Sequence, residues 1–87
     1  MARWSRIPEG WAINLDGTDA AVVFSLPRVE VRSSSTGWQG VCLHADGKQT
    51  SCGDGYQGGS AVARTTALAR AAAVLSPQHA EWIRAQG

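Results

Sequence analysis

Apolar and polar positions alternate through the first half of the chain, and the pattern then gives way to an alanine-rich run with helical period. In "GWAINLDGTDAAVVFSL", Trp11, Ile13 and Leu15 alternate with Ala12 and Asn14; Asp16-Gly17 follows, and then a β-branched run around Val22, Val23 and Phe24. An Asp-Gly pair between two such runs supplies the positive φ values of a tight turn, so the pattern predicts a hairpin. Pro27 cannot donate to a ladder and ends or kinks the second strand. "RVEVR", residues 28 to 32, alternates strictly, with Val29 and Val31 on one face and Arg28, Glu30 and Arg32 on the other: a strand with one wet face. After "SSSTG", a flexible loop, "WQGVCLHADGKQTSC" repeats the grammar of the first hairpin around Asp46-Gly47.

From Ser60 the composition changes. "SAVARTTALARAAAVL" holds no Gly and no Pro and is strong helix-forming material. Ser60 is the expected N-cap, and Ala61, Thr65, Leu68, Ala72 and Leu75 share the face expected to be buried, with Arg70 pointing away. With only two leucines on that stripe, the helix can lie unusually close to a sheet. Ser76-Pro77 then starts a second, short helix, with Ser as cap and Pro at the first helical position. Strands followed by helices read as α+β. The expected architecture is a single domain over 1–87: a small antiparallel sheet of four to five strands within residues 11–52, a glycine loop at 53–59, and helices at about 60–75 and 77–86.

Charge narrows the function. Eight Lys and Arg against seven Asp and Glu leave a formal charge of +1, too little for a long-range field that gathers phosphates. The basic start of the chain is broken by Pro8, Glu9 and Gly10 before a secretory apolar core can form, and no apolar run is long enough to span a bilayer. The expected location is the reducing cytoplasm, where two cysteines are more often thiols than a bridge. Four tryptophans in 87 residues exceed what a small core needs, which points at least one of them toward a partner.

Several chemistries can be weighed from spacing. "CGDGYQGGS" contains a literal G-x-G-x-x-G at Gly53, Gly55 and Gly58. A dinucleotide site also needs a second parallel strand and an acidic residue about 20 residues further on, and here that stretch reads "AAVLSP". The loop reads instead as a connection, with Tyr56 either pinning it to the core or facing a partner. Cys42, His44, Cys52 and His79 hold neither a C-x-x-C nor an H-x(3–5)-H pair, and no cofactor or metal is expected. A three-residue turn at Asp46-Gly47 would set Cys52 opposite Cys42 and permit a disulfide, while a two- or four-residue turn would put the sulfurs on opposite faces. Cys42 with His44 or His79 and Asp46 names the parts of a nucleophilic site but not its surroundings, so no enzyme is expected. Nucleic acid is the alternative ligand: Arg28 and Arg32 share a face, Trp38 offers a stacking platform, and a sheet ending in an alanine-rich helix resembles a double-stranded RNA-binding domain. Against it stand Glu30, Asp54 and a helix start with one Arg. Tryptophan, tyrosine and arginine dominate binding hot spots, so the expected partner-binding residues are Arg28, Glu30, Arg32, Trp38, His44 and Tyr56, on a non-enzymatic protein-binding module.

The stretch "GWQGVCLHADGKQTSCGDGYQGGSAVARTTALARAA", a tryptophan-led hairpin, Asp-Gly turn, Gly-Tyr loop and Ala-rich helix, resembles small phage and mobile-element proteins, among them anti-CRISPR inhibitors. That resemblance implies a compact α+β protein without a cofactor, monomeric or dimeric, that docks on a host protein or ribonucleoprotein complex and blocks it sterically.

Overall fold

A computed structural model describes residues 4–86 of the chain. Five antiparallel strands form one sheet in sequence order: β1 (Ser5–Ile7), β2 (Gly10–Asn14), β3 (Arg28–Ser34), β4 (Gly37–Leu43) and β5 (Gln49–Ser51). Two helices follow, α1 (Ser60–Val74) and α2 (Pro77–Gln86). The fold is the α+β arrangement expected from the pattern, strands first and helices last. Both edge strands have only three residues, which leaves little free ladder for another chain to pair with.

The register assigns the faces. Val29 pairs with Cys42 and Val31 with Gly40, and β2 sets Trp11 and Ile13 beside those valines. Paired residues share a face, so Trp11, Ile13, Val29, Val31, Trp38, Gly40 and Cys42 lie on one side. Helix α1 lies on that side, and Ala63, Ala67 and Ala71 are its buried residues. Small side chains on both surfaces bring the two layers together: a Cβ added at Gly40 would sit 2.7 Å from the Ala67 Cβ. Ile83 of α2 closes the cluster, and Trp4, Trp38, Tyr56, Leu68 and Trp82 pack around its margin.

Four local expectations are corrected. Val22, Val23 and Phe24 form no strand, and β2 has no hairpin partner after Asp16-Gly17; it pairs with β1 on one side and β3 on the other. The reason is a set of side-chain caps. The Asp16 carboxylate accepts from the Thr18 amide and hydroxyl, and Asp19 accepts from the Ala21 amide and the Ser5 hydroxyl. The buried Asn14 amide donates to the Thr18 and Val23 carbonyls. These bonds satisfy the backbone of residues 15–27 without a ladder, and Leu15 N–H to Pro27 O closes the loop at its base. The buried stripe of α1 is also displaced: Ala61 and Thr65 are exposed, because the alanines at 63, 67 and 71 allow the closest approach. The α1 cap is Gly59 rather than Ser60, with no side-chain cap bond. Finally, the β4–β5 connection closes on a His44 N–H to Lys48 O bond, so its turn is the three residues 45–47, one position earlier than the three-residue turn that would pair Cys42 with Cys52. Cys42 therefore faces Thr50 and Cys52 lies across from Gly40, on the same face but offset along the strand. Both thiols are free.

Candidate docking face

The side of the sheet away from the helices carries Arg28, Glu30 and Arg32 from β3, with Leu43, Val41 and Gln39 of β4 opposite them in the same order. Glu30 keeps 2% of its surface exposed, and both its carboxylate oxygens are engaged. Arg28 Nε donates to Glu30 Oε2 at 2.6 Å, and Arg32 Nε donates to Oε1 at 2.8 Å, with Arg32 Nη2 also donating to Oε1. Burying a carboxylate is costly unless it is paired and hydrogen-bonded, and this one has a guanidinium on each side. The arginines differ: the Arg28 side chain is 18% exposed and that of Arg32 49%, so the second still presents charge to solvent. Beside Glu30 and Arg32, Gln39, Val41, Leu43 and Gln49 line a shallow hollow of about 160 Å³.

The loop 15–27 folds over the β1–β2 end of this face. Ala20 packs on Ile7 and Ala12 to form a second small core. Its return limb then presents Val22, Val23, Phe24 and Leu26 to solvent, with Val22 83% and Phe24 50% exposed. The Phe24 ring stacks on Arg28, 4.9 Å from the guanidinium, which joins the apolar ridge to the arginine row. The ridge is held in place: Ser25 N–H donates to Asn14 Oδ1, and Ser25 Oγ donates to Asp16 Oδ2 at 2.8 Å. The Thr18 hydroxyl and amide hold the Asp16 carboxyl below the usual carboxylate range, so this latch stays ionised and intact at neutral pH and loosens only in acid. Four exposed apolar side chains on one hydrogen-bonded loop form a patch of the kind that partner surfaces cover.

The six residues expected to bind a partner fall in three places. Arg28, Glu30 and Arg32 share the helix-free face. Trp38 and Tyr56 lie on the helix side, at the core margin, where they are joined by a backbone bridge. Tyr56 packs inward: its hydroxyl donates to the Cys52 carbonyl and its ring meets Arg70, so it pins the glycine loop to the core. His44 sits at the far end of β4, its Nε2 2.7 Å from Thr50 Oγ1, in a groove of about 500 Å³ shared with Pro27, Leu75 and His79. His79 is engaged with Ser76 Oγ at 3.0 Å, and among the described residues no three His, Cys, Asp or Glu converge as a metal-binding group. The ridge residues Val22, Val23 and Phe24 were masked in the sequence by their high β-propensity. The signal that marks them is the density of Asn, Asp, Thr and Ser around them.

Burial pushes the Cys42 thiol up to about 11, with Cys52 nearby adding to the effect, and burial raises Cys52 as well. Neither is primed as a nucleophile, since the thiolate is the reactive form. Unfolded thiols ionise near pH 9, so between pH 9 and 11 the unfolded state sheds protons that native Cys42 keeps, and stability falls as pH rises. The contribution is fully present below pH 9 and amounts to about 2 kcal/mol lost by pH 11. In urea titrations from pH 7 to 11, Cys42→Ala is expected to show a shallower alkaline decline than the wild type; equal slopes would contradict this assignment.

Among the described residues no helix is long and apolar enough to cross a membrane. Comparison with protein-family models, curated proteins and solved structures finds no match to this chain.

Proposed function

We propose that this chain is a non-enzymatic protein-docking module whose helix-free face, headed by the Phe24 ridge, occupies a functional surface of its partner and blocks it. The observation that carries this reading is the pre-ordered ridge of Val22, Val23, Phe24 and Leu26 set against the Arg28–Glu30–Arg32 row. Ordering a loop in advance removes part of the entropy cost of association, and an aromatic next to an arginine is hot-spot chemistry. The chemistry fits a protein surface with an apolar hollow for Phe24 and a carboxylate near Arg32. A phosphate backbone fits this face less well, because Glu30 sits between its two cations. The resemblance to small mobile-element inhibitors supports a host-defence protein or ribonucleoprotein of the CRISPR–Cas type, in the bacterial cytoplasm, as the blocked partner.

The test is a plasmid-interference assay across a panel of CRISPR–Cas systems. Expression of the wild type is expected to relieve interference in at least one system, and Phe24→Asp, made to the same level, to relieve it at least tenfold less, the equivalent of about 1.4 kcal/mol of binding. Equal relief by both proteins would remove the ridge from the interface, and no relief in any system would overturn the host-defence assignment. Gel-shift assays at low and high salt cover the nucleic-acid alternative, since phosphate contacts weaken steeply with salt.

A further inference from the structure

The opposite side of the molecule holds a second cluster that the docking face does not involve. Arg6 on β1 pairs across the ladder with Trp11 on β2, so both project on the helix side. Arg64 comes down on the same indole from α1. Its guanidinium lies 4.1 Å from the ring centroid, and that of Arg6 lies 5.2 Å away. Arg64 is fixed further by its Nε, which donates to the Ser60 carbonyl at 3.3 Å. The Trp11 indole N–H is itself buried without an acceptor.

Two cations held on one ring repel each other, and the usual remedy is a carboxylate between them. Among the described residues neither guanidinium has one. Asp16, Asp46 and Asp54 spend their carboxylates on amides of their own turns, and Glu30 is taken by Arg28 and Arg32 on the other face. The first turn of α1, to which the Arg64 side chain runs back, has no acidic residue, and Gly59 supplies no side-chain cap. The ion pairs among the described residues are those of Glu30, and none of them reaches Arg6 or Arg64, so two cations share one indole in a chain that carries only +1.

We propose that Arg6, Trp11 and Arg64 form a binding site for a phosphate group. Planar guanidinium forks match tetrahedral oxyanions in two-point hydrogen bonding, and stacking on the indole leaves their N–H edges free to do so. A phosphate offers several oxygens, so either fork on the indole can hold it through a paired contact. The site is independent of the docking face, and either assignment can fail without the other.

The experiment is an NMR titration of ¹⁵N-labelled protein with sodium pyrophosphate at constant ionic strength, read at the Trp11 indole and the Arg6 and Arg64 Nε resonances. Saturable shifts confined to these three groups are the expected result, and Arg64→Gln and Arg6→Gln should each weaken binding about five- to tenfold, as loss of a charge-assisted contact does. Because Arg64 also packs on Trp11, Arg64→Lys serves as a second variant that keeps charge and bulk but not the fork; it too should bind more weakly, with an unchanged melting temperature. A parallel titration with a short single-stranded oligonucleotide separates the sources. Tighter binding per phosphate assigns the site to a nucleic-acid backbone, and equal binding assigns it to a free or small-molecule phosphate. Shifts that do not saturate, or that persist unchanged in Arg64→Gln, would overturn the proposal.

Discussion

Gly40→Val is expected to abolish the native fold, and Gly40→Ala to destabilise it by about 2–3 kcal/mol, at the upper end of what overpacking a core costs. A Cβ at position 40 meets the Ala67 Cβ at 2.7 Å, the Cys52 carbonyl oxygen at 3.3 Å and the Cys52 Cβ at 3.4 Å. None of these is the tip of a flexible side chain. A methyl on a helix and a backbone carbonyl just past β5 yield only if α1 lifts off the sheet, and lifting it uncovers Ala63, Ala67 and Ala71 together with Val29 and Val31 beneath them. An 87-residue domain has a total stability of only about 4–13 kcal/mol, so the two further methyls of valine take a large share of it. Thermal unfolding by circular dichroism should place Gly40→Ala roughly 10–20 °C below the wild type. Adding Ala67→Gly should recover part of the loss, a coupling that two distant sites do not show. A melting temperature within measurement error of the wild type would mean that Ala67 does not sit over Gly40.

Glu30→Ala is the second large effect, expected to cost about 2–3 kcal/mol. Removing one partner of a fully buried ion pair costs about 3–5 kcal/mol, because the other charge is left in a poorly solvated place. The figure here is lower because Arg32 is half in water and can rehydrate. Arg28 cannot do so to the same degree, being covered by Phe24 and the sheet. Two comparisons isolate the cause. Arg32→Ala should cost under about 1 kcal/mol, since Glu30 keeps Arg28, while Arg28→Ala should cost more than Arg32→Ala. Chemical denaturation of the three variants gives the order directly, and equal losses for the two arginines would contradict the asymmetry.

The parts of the fold that were legible in the sequence are those in which local pattern and tertiary need agree. The alternation of Arg28 to Arg32 specifies β3 and its faces, and the alanine run from Ser60 specifies α1. Ser76-Pro77 marks the start of α2 at the residue where the structure begins it. Three features were not legible, each for a physical reason. Strand β1 has only three residues and takes its place from pairing with β2, which no short window reveals. The β-propensity of Val22, Val23 and Phe24 is real but is overruled by Asn14, Asp16 and Asp19, whose side chains satisfy the loop backbone. Leu68 of α1 and Leu75 at its C-cap mark the rim of the buried face, because the closest approach belongs to the smallest residues.

For the candidate site, the common face of Arg28, Glu30 and Arg32 followed from period two alone. The burial of Glu30 did not, since it depends on the loop that folds beside it. Trp38 and His44 went elsewhere because the short Ser35-Thr36 turn sets Cys42 against Val29, which turns Trp38 and Cys42 to the helix side and Val41 and Leu43 to the open one; Tyr56 follows Trp38 through their bridge. The two arginine clusters show how little net charge says about a surface this small. A chain with a charge of +1 still gathers two guanidiniums around one carboxylate on one face and sets two more on a single indole on the other.

The measurement that bears most directly on the docking face is quantitative affinity capture from a bacterial lysate with three immobilised forms of the protein: wild type, Val22→Asp/Phe24→Asp, and Arg84→Ser on the helix side. Because Val22 and Phe24 are exposed, the double variant should keep its fold, with a melting temperature near that of the wild type. The prediction is a protein held by the wild type and by Arg84→Ser and reduced at least tenfold on the ridge variant. Equal retention on all three forms would contradict a docking surface at the Phe24 ridge.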